Sequence, residues 1–462
     1  MNKLIIVCLL VFGLGEKLIA QNQKPNIVLI LADDLGYADL SIHGSKQIQT
    51  PFIDRIAREG VHFSQGYVSA PVCSPSRAGL LTGKNQVSFG YDNNLSEKQR
   101  GFDPEFAGLP VEEKTIADRL KAAGYVSGLI GKWHLGSQDQ FHPLNRGFDE
   151  FWGYLGGGHN YFRSDPNGVG YLSPLSSNIK TLQTISYLTD DKGDECVDFI
   201  KRHKGNPFFL YASFNAPHAP LQALEDDLDL FSHIGDLERR TYLAMVYRLD
   251  LNVGKILQAL ESEGLEENTL VIFLSDNGGP VDSNASINAP FNGQKGILLE
   301  GGLRVPFFIK WPKQIPAGVR FDRAISSLDL MPTFLAAAGV DFDESAGLEG
   351  RNLLPYILGQ ELTPPHPSLK WRFTISAGIL EAQWKLIRLP DRLPLLFDLS
   401  NDSSEQNNLA LKYPEITIDL LKKLGDWDLS LPHPLFLEGA SWKVQQRDLY
   451  DQNYQLSQPE NK

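Results

Sequence analysis

The chain has 462 residues and a mass of 51.5 kDa, and 42% of its residues are hydrophobic and 21% charged. This composition supports a large buried core and excludes a disordered chain or a small disulfide-stapled domain. The 43 basic and 56 acidic residues give a net charge of -13, which disfavours nucleic acid and anionic lipid as partners.

The N-terminal segment has the pattern of a secretory signal peptide. Lys3 precedes an apolar run from Leu4 to Leu14, and Ala20 supplies a small residue for cleavage. The run is too short to span a bilayer, and no later segment is long enough and free enough of charge to do so. We therefore expect residues 1–20 to be a signal peptide, no membrane span, and a mature protein that is periplasmic or secreted.

Short apolar runs separated by helical patterns predict the fold. The strand-like runs are Ile27 to Leu31, Val126 to Ile130, Phe208 to Phe214 and Leu270 to Leu274, and helical patterns cover residues 54–60 and 115–124. This alternation predicts an α/β fold with a large, mostly parallel mixed sheet flanked by helices. In such sheets, ligands bind beyond the carboxyl ends of the strands.

The pattern changes after Asp341. We expect a catalytic domain over residues 21–362 and a smaller C-terminal α+β domain over residues 363–462. The short runs 372–376 and 384–387 predict an antiparallel sheet, and residues 414–424 predict a helix. The last twenty or so residues are polar and rich in Gln and Asn, so we expect a loosely held tail.

Acidic side chains follow two of the predicted strands. Asp33 and Asp34 come directly after the first run, and Asp276 and Asn277 come after the fourth. Two such clusters at one sheet edge suit a hard divalent cation, which prefers oxygen ligands. The alternative for each motif alone is a helix cap or a turn.

Cationic and imidazole side chains follow other strand ends. Lys132 and His134 are two residues apart, so in an extended segment they point to the same side and suit an anion. His218 lies at the end of the third run, and Lys295 lies between glycines that allow the backbone to approach a ligand. We expect the other histidines singled out to be structural, namely His43, His62, His203 and His233.

The most specific feature is the segment Cys73-Ser74-Pro75-Ser76-Arg77. Pro75 in the first turn and Gly83 past the end predict a short helix that starts at or just after Cys73. A helix N-terminus favours a thiolate or a bound oxyanion, and Arg77 adds a formal charge. The alternative is a buried cysteine that only packs. We expect no structural disulfide between Cys73 and Cys196.

With these motifs in this order, the sequence resembles the formylglycine-dependent sulfatases of the arylsulfatase type, in the alkaline phosphatase superfamily. The segment from Cys73 to Arg77 matches the family signature C-x-P-x-R, whose cysteine a separate maturase oxidises to formylglycine. The blocks at Asp33-Asp34, Gly131 to Gly136, Pro217-His218, Ser275 to Gly279 and Gly293 to Gly296 also match, in the family's order. The likeness covers nearly the whole chain after residue 25.

The resemblance implies a role for each matching residue. One Ca²⁺ would be held by Asp33, Asp34, Asp276, Asn277 and the modified Cys73. The hydrated aldehyde at Cys73 would supply the hydroxyl that attacks sulfur, activated by the metal and Asp276. Arg77 and Lys132 would stabilise the charge that develops on sulfate. His218 and Lys295 would lie beside the leaving group, and His134 would take a proton to expel sulfate.

The sequence departs from the family at two positions that bear on substrate contacts. Asn292 stands where many relatives carry an arginine, and its role is open. His159 is the nearest candidate for a residue that touches sulfate. Aromatic residues at 151–154 and 159–163, together with Arg163, suit a sugar beside an anionic group, although such aromatics often belong to a core.

The predicted function is therefore an exported sulfatase that acts on a sulfated polysaccharide. The resemblance favours an algal galactan such as carrageenan, and leaves glycosaminoglycan or fucan sulfate open. One alternative is a phosphonate or phosphate monoester hydrolase, which can share the C-x-P-x-R motif. A second is a non-catalytic protein that binds sulfated glycans, which would have no need to keep Cys73, Lys132 and His134 together.

Overall fold

The computed structural model describes residues 24–95, 103, 105–180, 185–341, 347–390, 392–436 and 440–453. The proposed signal peptide, residues 1–20, lies outside them. A nine-stranded sheet forms the centre, with strand order β10-β2-β9-β8-β1-β7-β4-β5-β6. Its strands are β1 (Asn26–Ala32), β2 (Val61–Phe63), β4 (Val126–Lys132), β5 (Glu150–Tyr154), β6 (Ser176–Ser177), β7 (Phe208–Ser213), β8 (Thr269–Ser275), β9 (Phe307–Lys310) and β10 (Val319–Phe321).

The five neighbouring strands β8, β1, β7, β4 and β5 are all parallel. Antiparallel pairs occur at β8–β9, β2–β9 and β5–β6. The predicted large, mostly parallel mixed sheet is confirmed. A separate two-stranded parallel pair joins β3 (Gly66–Tyr67) to β11 (Ile325–Ser326).

The central strands are apolar throughout because both faces of the sheet are covered. In β1, Val28 and Ile30 belong to one hydrophobic cluster, whereas Ile27, Leu29 and Leu31 belong to another on the opposite face. This alternation follows from the two-residue period of a strand. It explains why the sequence shows a continuous apolar run here rather than an alternating pattern.

Helices pack against both faces of the sheet. The described residues up to position 362 form the helices α1 (Pro51–Arg58), α2 (Cys73–Thr82), α3 (Ile116–Lys121), α4 (Leu188–His203), α5 (Glu225–Leu230), α6 (Leu237–Ser262), α7 (Val281–Asn284), α8 (Glu300–Leu303), α9 (Leu330–Ala337) and α10 (Leu354–Ile357). Helices α1, α4 and α6 bury side chains on one face, and α2, α3 and α9 on the other. Among the residues described, no helix has the length and apolar character that a membrane span requires.

The C-terminal part contains a four-stranded antiparallel sheet, as predicted. Its strands are β12 (Ser368–Phe373), β13 (Ser376–Glu381), β14 (Trp384–Arg388) and β15 (Leu395–Asp398). One face packs against helix α11 (Pro414–Leu429) through Leu420 and Leu424. The other face packs against the segment Ile297 to Leu299, which follows Lys295.

The expected loose tail is wrong for part of its length. Residues Ala440–Asn453 form a helix, α12, in which Leu449 and Tyr450 are buried. The hydroxyl of Tyr450 accepts a hydrogen bond of 2.8 Å from the backbone N–H of Leu298. The buried side chains of Leu449 and Tyr450 and the ion pair between Asp451 and Arg392 hold the segment, and a composition average over twenty residues concealed these positions.

Candidate active site

The two acidic clusters meet at the carboxyl edge of the sheet. Strands β1 and β8 are hydrogen-bonded neighbours in which Ala32 pairs with Ser275, so Asp33 and Asp276 follow at the same level. The backbone N–H of Asp34 donates to Asp276 Oδ1 at 3.3 Å. Asp34 has a φ of 65°, a left-handed backbone conformation, where the chain turns after strand β1.

This edge holds a set of oxygen atoms that fits a divalent cation. One ligand atom from each of Asp33, Asp34, Cys73 and Asp276 lies within 4.8 Å of the others, and all four residues are buried. The side-chain Nδ2 of Asn277 donates to Asp34 Oδ1 at 2.7 Å, whereas its Oδ1 is buried and has no hydrogen-bond partner among the residues that the structure describes. Three carboxylates and an unpaired amide oxygen are ligands that a hard cation prefers.

The helix predicted at Cys73 is confirmed. Helix α2 begins at Cys73 and ends before Gly83, whose φ of 66° is the left-handed conformation common after a helix. The Sγ atom lies 3.4 Å from Asp33 Oδ1 and 3.1 Å from Lys295 Nζ. Cys73 is 1% exposed, and burial raises the pKa of its thiol to about 12 despite the nearby lysines. The unmodified residue is therefore a neutral thiol, contrary to the thiolate that the helix N-terminus suggested.

Arg77 and Lys132 neutralise the buried carboxylates. Arg77 Nε lies 2.9 Å from Asp276 Oδ2, and Lys132 Nζ lies 2.5 Å from Asp33 Oδ2. Burial alone would raise the pKa of Asp33, but the charges of Lys132, His218 and Arg77 hold it well below its ordinary value. Burial and the neighbouring Asp33 charge raise the pKa of Asp276 to about 6. The two carboxylates therefore differ in basicity because their environments differ.

Lys295 and His218 lie together on one side of Cys73. Lys295 Nζ is 2.7 and 2.8 Å from the two carboxylate oxygens of Asp34, whose charge raises the pKa of the lysine in spite of burial. His218 Nε2 lies 3.6 Å from Asp34 Oδ2, and Nδ1 lies 2.6 Å from the carbonyl of Ala219. That carbonyl favours the tautomer with hydrogen on Nδ1 and leaves Nε2 to face the site.

His134 is buried near Lys132, although by a different geometry from the one predicted. Strand β4 ends at Lys132 and His134 has a φ of 61°, so the two residues do not share one extended segment. Burial, reinforced by the charges of Lys132 and Arg77, lowers the pKa of His134 well below its ordinary value. Its Nε2 lies 3.4 Å from the carbonyl of Leu95, and its Nδ1 is buried without a partner among the described residues. A neutral imidazole with a free acceptor atom results.

The two predicted substrate-binding residues have different positions. His159 is fully buried, with Nδ1 2.7 Å from the carbonyl of Asn160 and Nε2 2.8 Å from that of Ser173. Both ring nitrogens thus face backbone carbonyls, only one of which a neutral imidazole can donate to, and the structure does not support the expectation that His159 touches sulfate. Arg163 is exposed on the loop that follows. Asn292 Oδ1 accepts from the N–H of Gly293 at 2.8 Å and so shapes the turn before Lys295.

Sequence reasoning missed two polar residues beneath the site. Ser213 Oγ accepts from Arg77 Nη1 at 2.6 Å and donates to the carbonyl of Lys132 at 2.7 Å, so it joins two strand ends. Lys192, from helix α4, is buried and its Nζ lies 2.6 Å from Asn215 Oδ1. A serine at a strand end and a lysine within an amphipathic helix are common, so the sequence gives no signal that singles them out. Only their burial distinguishes them.

The family profile described as Sulfatase matches residues 25–340, and the profile described as N-sulphoglucosamine sulphohydrolase, C-terminal, matches residues 293–428. The chain belongs to the sulfatase family. It is a sulfuric ester hydrolase, and the site at the carboxyl edge of the sheet holds the residues that the family resemblance assigns to the chemistry.

The relatives agree with this assignment. N-acetylgalactosamine-6-sulfatase from Canis lupus familiaris is 38% identical over 383 residues, which cover 79% of this chain and 71% of the relative. Arylsulfatase D from Homo sapiens is 29% identical over 517 residues, which cover 88% of this chain and 86% of the relative. The predicted family and enzyme class are confirmed.

Solved structures place the fold in the same group. The crystal structure described as Ps i-CgsB has 38% identity and a TM-score of 0.84, and covers 92% of this chain and 98% of that one. A second structure of Ps i-CgsB, with the same match, contains k-i-k-neocarrahexaose. Phosphonate monoester hydrolase of Agrobacterium radiobacter, at 20% identity and a TM-score of 0.64, shares the fold alone, with 92% of this chain and 96% of that one covered.

Proposed function

We propose that this sulfatase is an exported enzyme that removes sulfate from a sulfated polysaccharide, with formylglycine made from Cys73 and one Ca²⁺. The observation that carries the proposal is the position of Cys73, which starts helix α2 among three carboxylates and two lysines. A cysteine that only packed would not require this concentration of buried charge.

Asp33, Asp34, Asp276 and Asn277 would hold the calcium ion. Their carboxylate oxygens lie close together, and the unpaired Asn277 Oδ1 supplies a fourth oxygen ligand. When bound, the ion would withdraw electron density from a sulfate oxygen and favour deprotonation of the attacking hydroxyl. The buried lysines and Arg77 offset the remaining negative charge.

The neutral thiol of Cys73 favours formylglycine as the source of the nucleophile. Burial keeps the pKa of the Cys73 thiol near 12, so the unmodified side chain supplies little nucleophile at neutral pH. Oxidation to an aldehyde, which hydrates to a diol, would supply a hydroxyl nucleophile instead. A separate maturase is therefore a required partner of this chain.

The remaining residues have roles that follow from their positions. Arg77 and Lys132, both fixed by buried carboxylates, would stabilise negative charge on the transferring sulfate without reorganising. His218 Nε2 and Lys295 would lie beside the leaving group. His218, once protonated on both ring nitrogens beside Asp34, would donate the proton from Nε2. The unpaired Nδ1 of His134 would accept a proton from the side chain at position 73 when sulfate leaves.

The proposed substrate is an algal galactan sulfate such as carrageenan. The support is the match to Ps i-CgsB, whose structure in complex with k-i-k-neocarrahexaose covers 92% of this chain at 38% identity. Arg163, exposed on the loop after Asn160, would contact an anionic group of the same polymer. Residues 1–20 as a signal peptide would export the enzyme to the periplasm or medium, where such polymers occur.

The two alternatives remain distinguishable. A phosphonate or phosphate monoester hydrolase would turn over a phosphate ester faster than the matched sulfate ester, whereas we expect the reverse. A non-catalytic binder would bind glycan without turnover. The relatives named as sulfatases disfavour both alternatives.

The first experiment is an intact-peptide mass measurement of the Cys73 segment from protein made with an active maturase. We expect a mass about 18 Da below that of the cysteine form. The same preparation should release sulfate from a sulfated carrageenan hexasaccharide, and the Cys73→Ala variant should not. An unmodified thiol together with full activity would contradict the proposed nucleophile.

The second experiment removes divalent cations. Chelation with EGTA should lower the midpoint of thermal unfolding, and added Ca²⁺ should restore it, because an ion bound only by the folded state stabilises that state by about 2.7 kcal/mol at a hundredfold excess over Kd. The Asp34→Asn variant should respond less to added Ca²⁺. A thermal midpoint that is unchanged by EGTA would contradict the calcium site.

A further inference from the structure

An exposed aromatic ring lies beside His218, at the edge of the candidate active site. Tyr171 belongs to a short 3-10 turn, Gly170–Leu172, and 46% of its surface is exposed. Its ring packs against the imidazole of His218 in a T-shaped arrangement, with ring centroids 6.3 Å apart and planes at 78°. The ring therefore lies on the side of the site where His218 would meet the leaving group.

The ring is held in position by its surroundings. The carbonyl of Tyr171 accepts a hydrogen bond of 2.7 Å from the backbone N–H of Asn160, and Asp165 N–H donates to the carbonyl of Leu172 at 3.1 Å. The ring also packs over Gly158, where an added Cβ would lie 2.6 Å from Tyr171 Cε1. A glycine at position 158 is needed for this close approach.

The phenol of Tyr171 is close enough to the charged residues of the site to interact with them electrostatically. Lys132, Lys295, Asp33 and Asp34 all act electrostatically on it. Burial raises the pKa of the Tyr171 phenol, so the hydroxyl stays protonated at neutral pH and can donate a hydrogen bond. The exposed apolar face of the ring thus lies beside the charged groups of the site.

The aromatics that the sequence offered for sugar stacking are not available. Phe151, Trp152, Tyr154 and Tyr161 are each no more than 3% exposed and belong to the core. Tyr171 is ten residues beyond the last of them, and Val169 on the same loop is 84% exposed. The exposed ring that contacts His218 therefore comes from this loop rather than from the aromatic run.

We propose that Tyr171 is the platform on which the sugar bearing the scissile sulfate stacks. The C–H face of a pyranose ring would lie against the exposed face of Tyr171, with its leaving oxygen toward His218. Stacking would orient that oxygen for proton transfer and select a sugar over an open-chain alkyl sulfate. This inference rests on the proposed polysaccharide function and identifies the residue that recognises the sugar.

The test measures binding separately from turnover. In a Cys73→Ala background, calorimetry with a sulfated carrageenan hexasaccharide should give a dissociation constant about five- to tenfold weaker for Tyr171→Ala. Tyr171→Phe keeps the aromatic face, so its dissociation constant should stay within about twofold of that of the parent. Val169→Ala, on the same exposed loop, is the matched control and should not change binding.

Kinetics with Cys73 intact give a second readout. Tyr171→Ala should raise KM for the hexasaccharide and leave turnover of methyl sulfate, which has no ring to stack, within about twofold. Equal losses on both substrates would indicate a structural role and overturn the proposal. Binding by Tyr171→Ala that equals the parent, or by Tyr171→Phe that is as weak as Tyr171→Ala, would also overturn it.

The same experiment separates failure of the platform from failure of the proposed substrate. If the parent binds the hexasaccharide and Tyr171→Ala binds it equally, only the platform is wrong. If the parent binds neither the hexasaccharide nor sulfated galactose, yet the enzyme hydrolyses 4-methylumbelliferyl sulfate, both the polysaccharide function and the platform are wrong.

Discussion

Arg77 and Asp276 form an ion pair from which solvent is excluded. Arg77 Nη2 and Nε lie 2.8 and 2.9 Å from Asp276 Oδ2, and the two side chains are 0% and 1% exposed. The arginine comes from helix α2 and the aspartate follows the end of strand β8, so the pair joins the helix that begins at Cys73 to the carboxyl edge of the sheet. A pair in this position both stabilises the fold and fixes the charges of the site.

Removing Arg77 should therefore destabilise the protein strongly. Arg77→Met leaves Asp276 buried without its cation, which costs about 3–5 kcal/mol. The measurement is urea unfolding in EDTA. Arg320→Ala is the control, because the Arg320–Asp322 pair has a similar N–O distance of 2.8 Å but side chains that are 65% and 60% exposed. Its loss should cost less than about 1 kcal/mol. Equal costs for the two variants would contradict the distinction between a buried and an exposed pair.

The role of His218 can be tested through the leaving group. His218→Gln should lower kcat for a sugar sulfate by about 10²–10⁴-fold, because an alkoxide leaves poorly without a proton. The same change should lower kcat for 4-nitrophenyl sulfate far less, since nitrophenolate leaves unprotonated. His233→Gln, at an exposed histidine, should affect neither substrate. Equal losses on both substrates would argue against proton donation by His218.

Asp250 predicts a pH-dependent contribution to stability. Its carboxylate accepts hydrogen bonds of 3.1 and 2.8 Å from the N–H groups of Phe52 and Ile53 in the first turn of helix α1. Burial nevertheless raises the pKa of Asp250 from 3.8 to about 7. The folded state thus holds a proton that the unfolded state loses, and the free energy of unfolding falls as pH rises from about 4 to about 7.

Asp250→Asn removes this titration. The free energy of unfolding of Asp250→Asn minus that of the wild type should increase by at most about 4 kcal/mol between pH 4 and pH 7. Above pH 7 this difference should stay constant. The measurement is urea unfolding at several pH values. Asp229→Asn, at an exposed position, should show no such trend. A difference between wild type and Asp250→Asn that does not vary with pH would contradict the expectation.

Tyr450 links the C-terminal helix to the segment after Lys295. Tyr450→Phe removes the acceptor for the buried N–H of Leu298, which should cost about 1–3 kcal/mol. Thermal unfolding checks the cost, and hydrogen exchange at Leu298 checks its location. Tyr413→Phe, in which the ring can still pack on Trp384, is the control. Unchanged exchange at Leu298 would show that the hydrogen bond does not protect this segment.

The parts of the site that could be predicted are those that depend on local sequence features. The strands that carry Asp33 and Asp276 were evident as apolar runs, because a strand covered on both faces admits few polar residues. The helix at Cys73 was evident from Pro75 and Gly83. These are local features, so a single sequence contains them.

Other parts of the site depend on contacts between distant segments. Ser213 and Lys192 lie beneath the charged residues of the candidate site only because strands β1, β7 and β4 are adjacent. His159 looked available for substrate, but the carbonyls of Asn160 and Ser173 engage both of its nitrogens. Docking of helix α12 through Tyr450 was likewise invisible in the composition of the tail.

The sequence by itself determined the α/β fold, the sulfatase family and the set of charged residues at the strand ends. These follow from apolar periodicity and from motifs whose spacing is fixed along the chain. Only the tertiary structure decided which side chains are buried and what they contact. It made Cys73 a neutral thiol, removed His159 from the substrate surface and placed Tyr171 beside His218, because burial and desolvation depend on neighbours from every part of the fold.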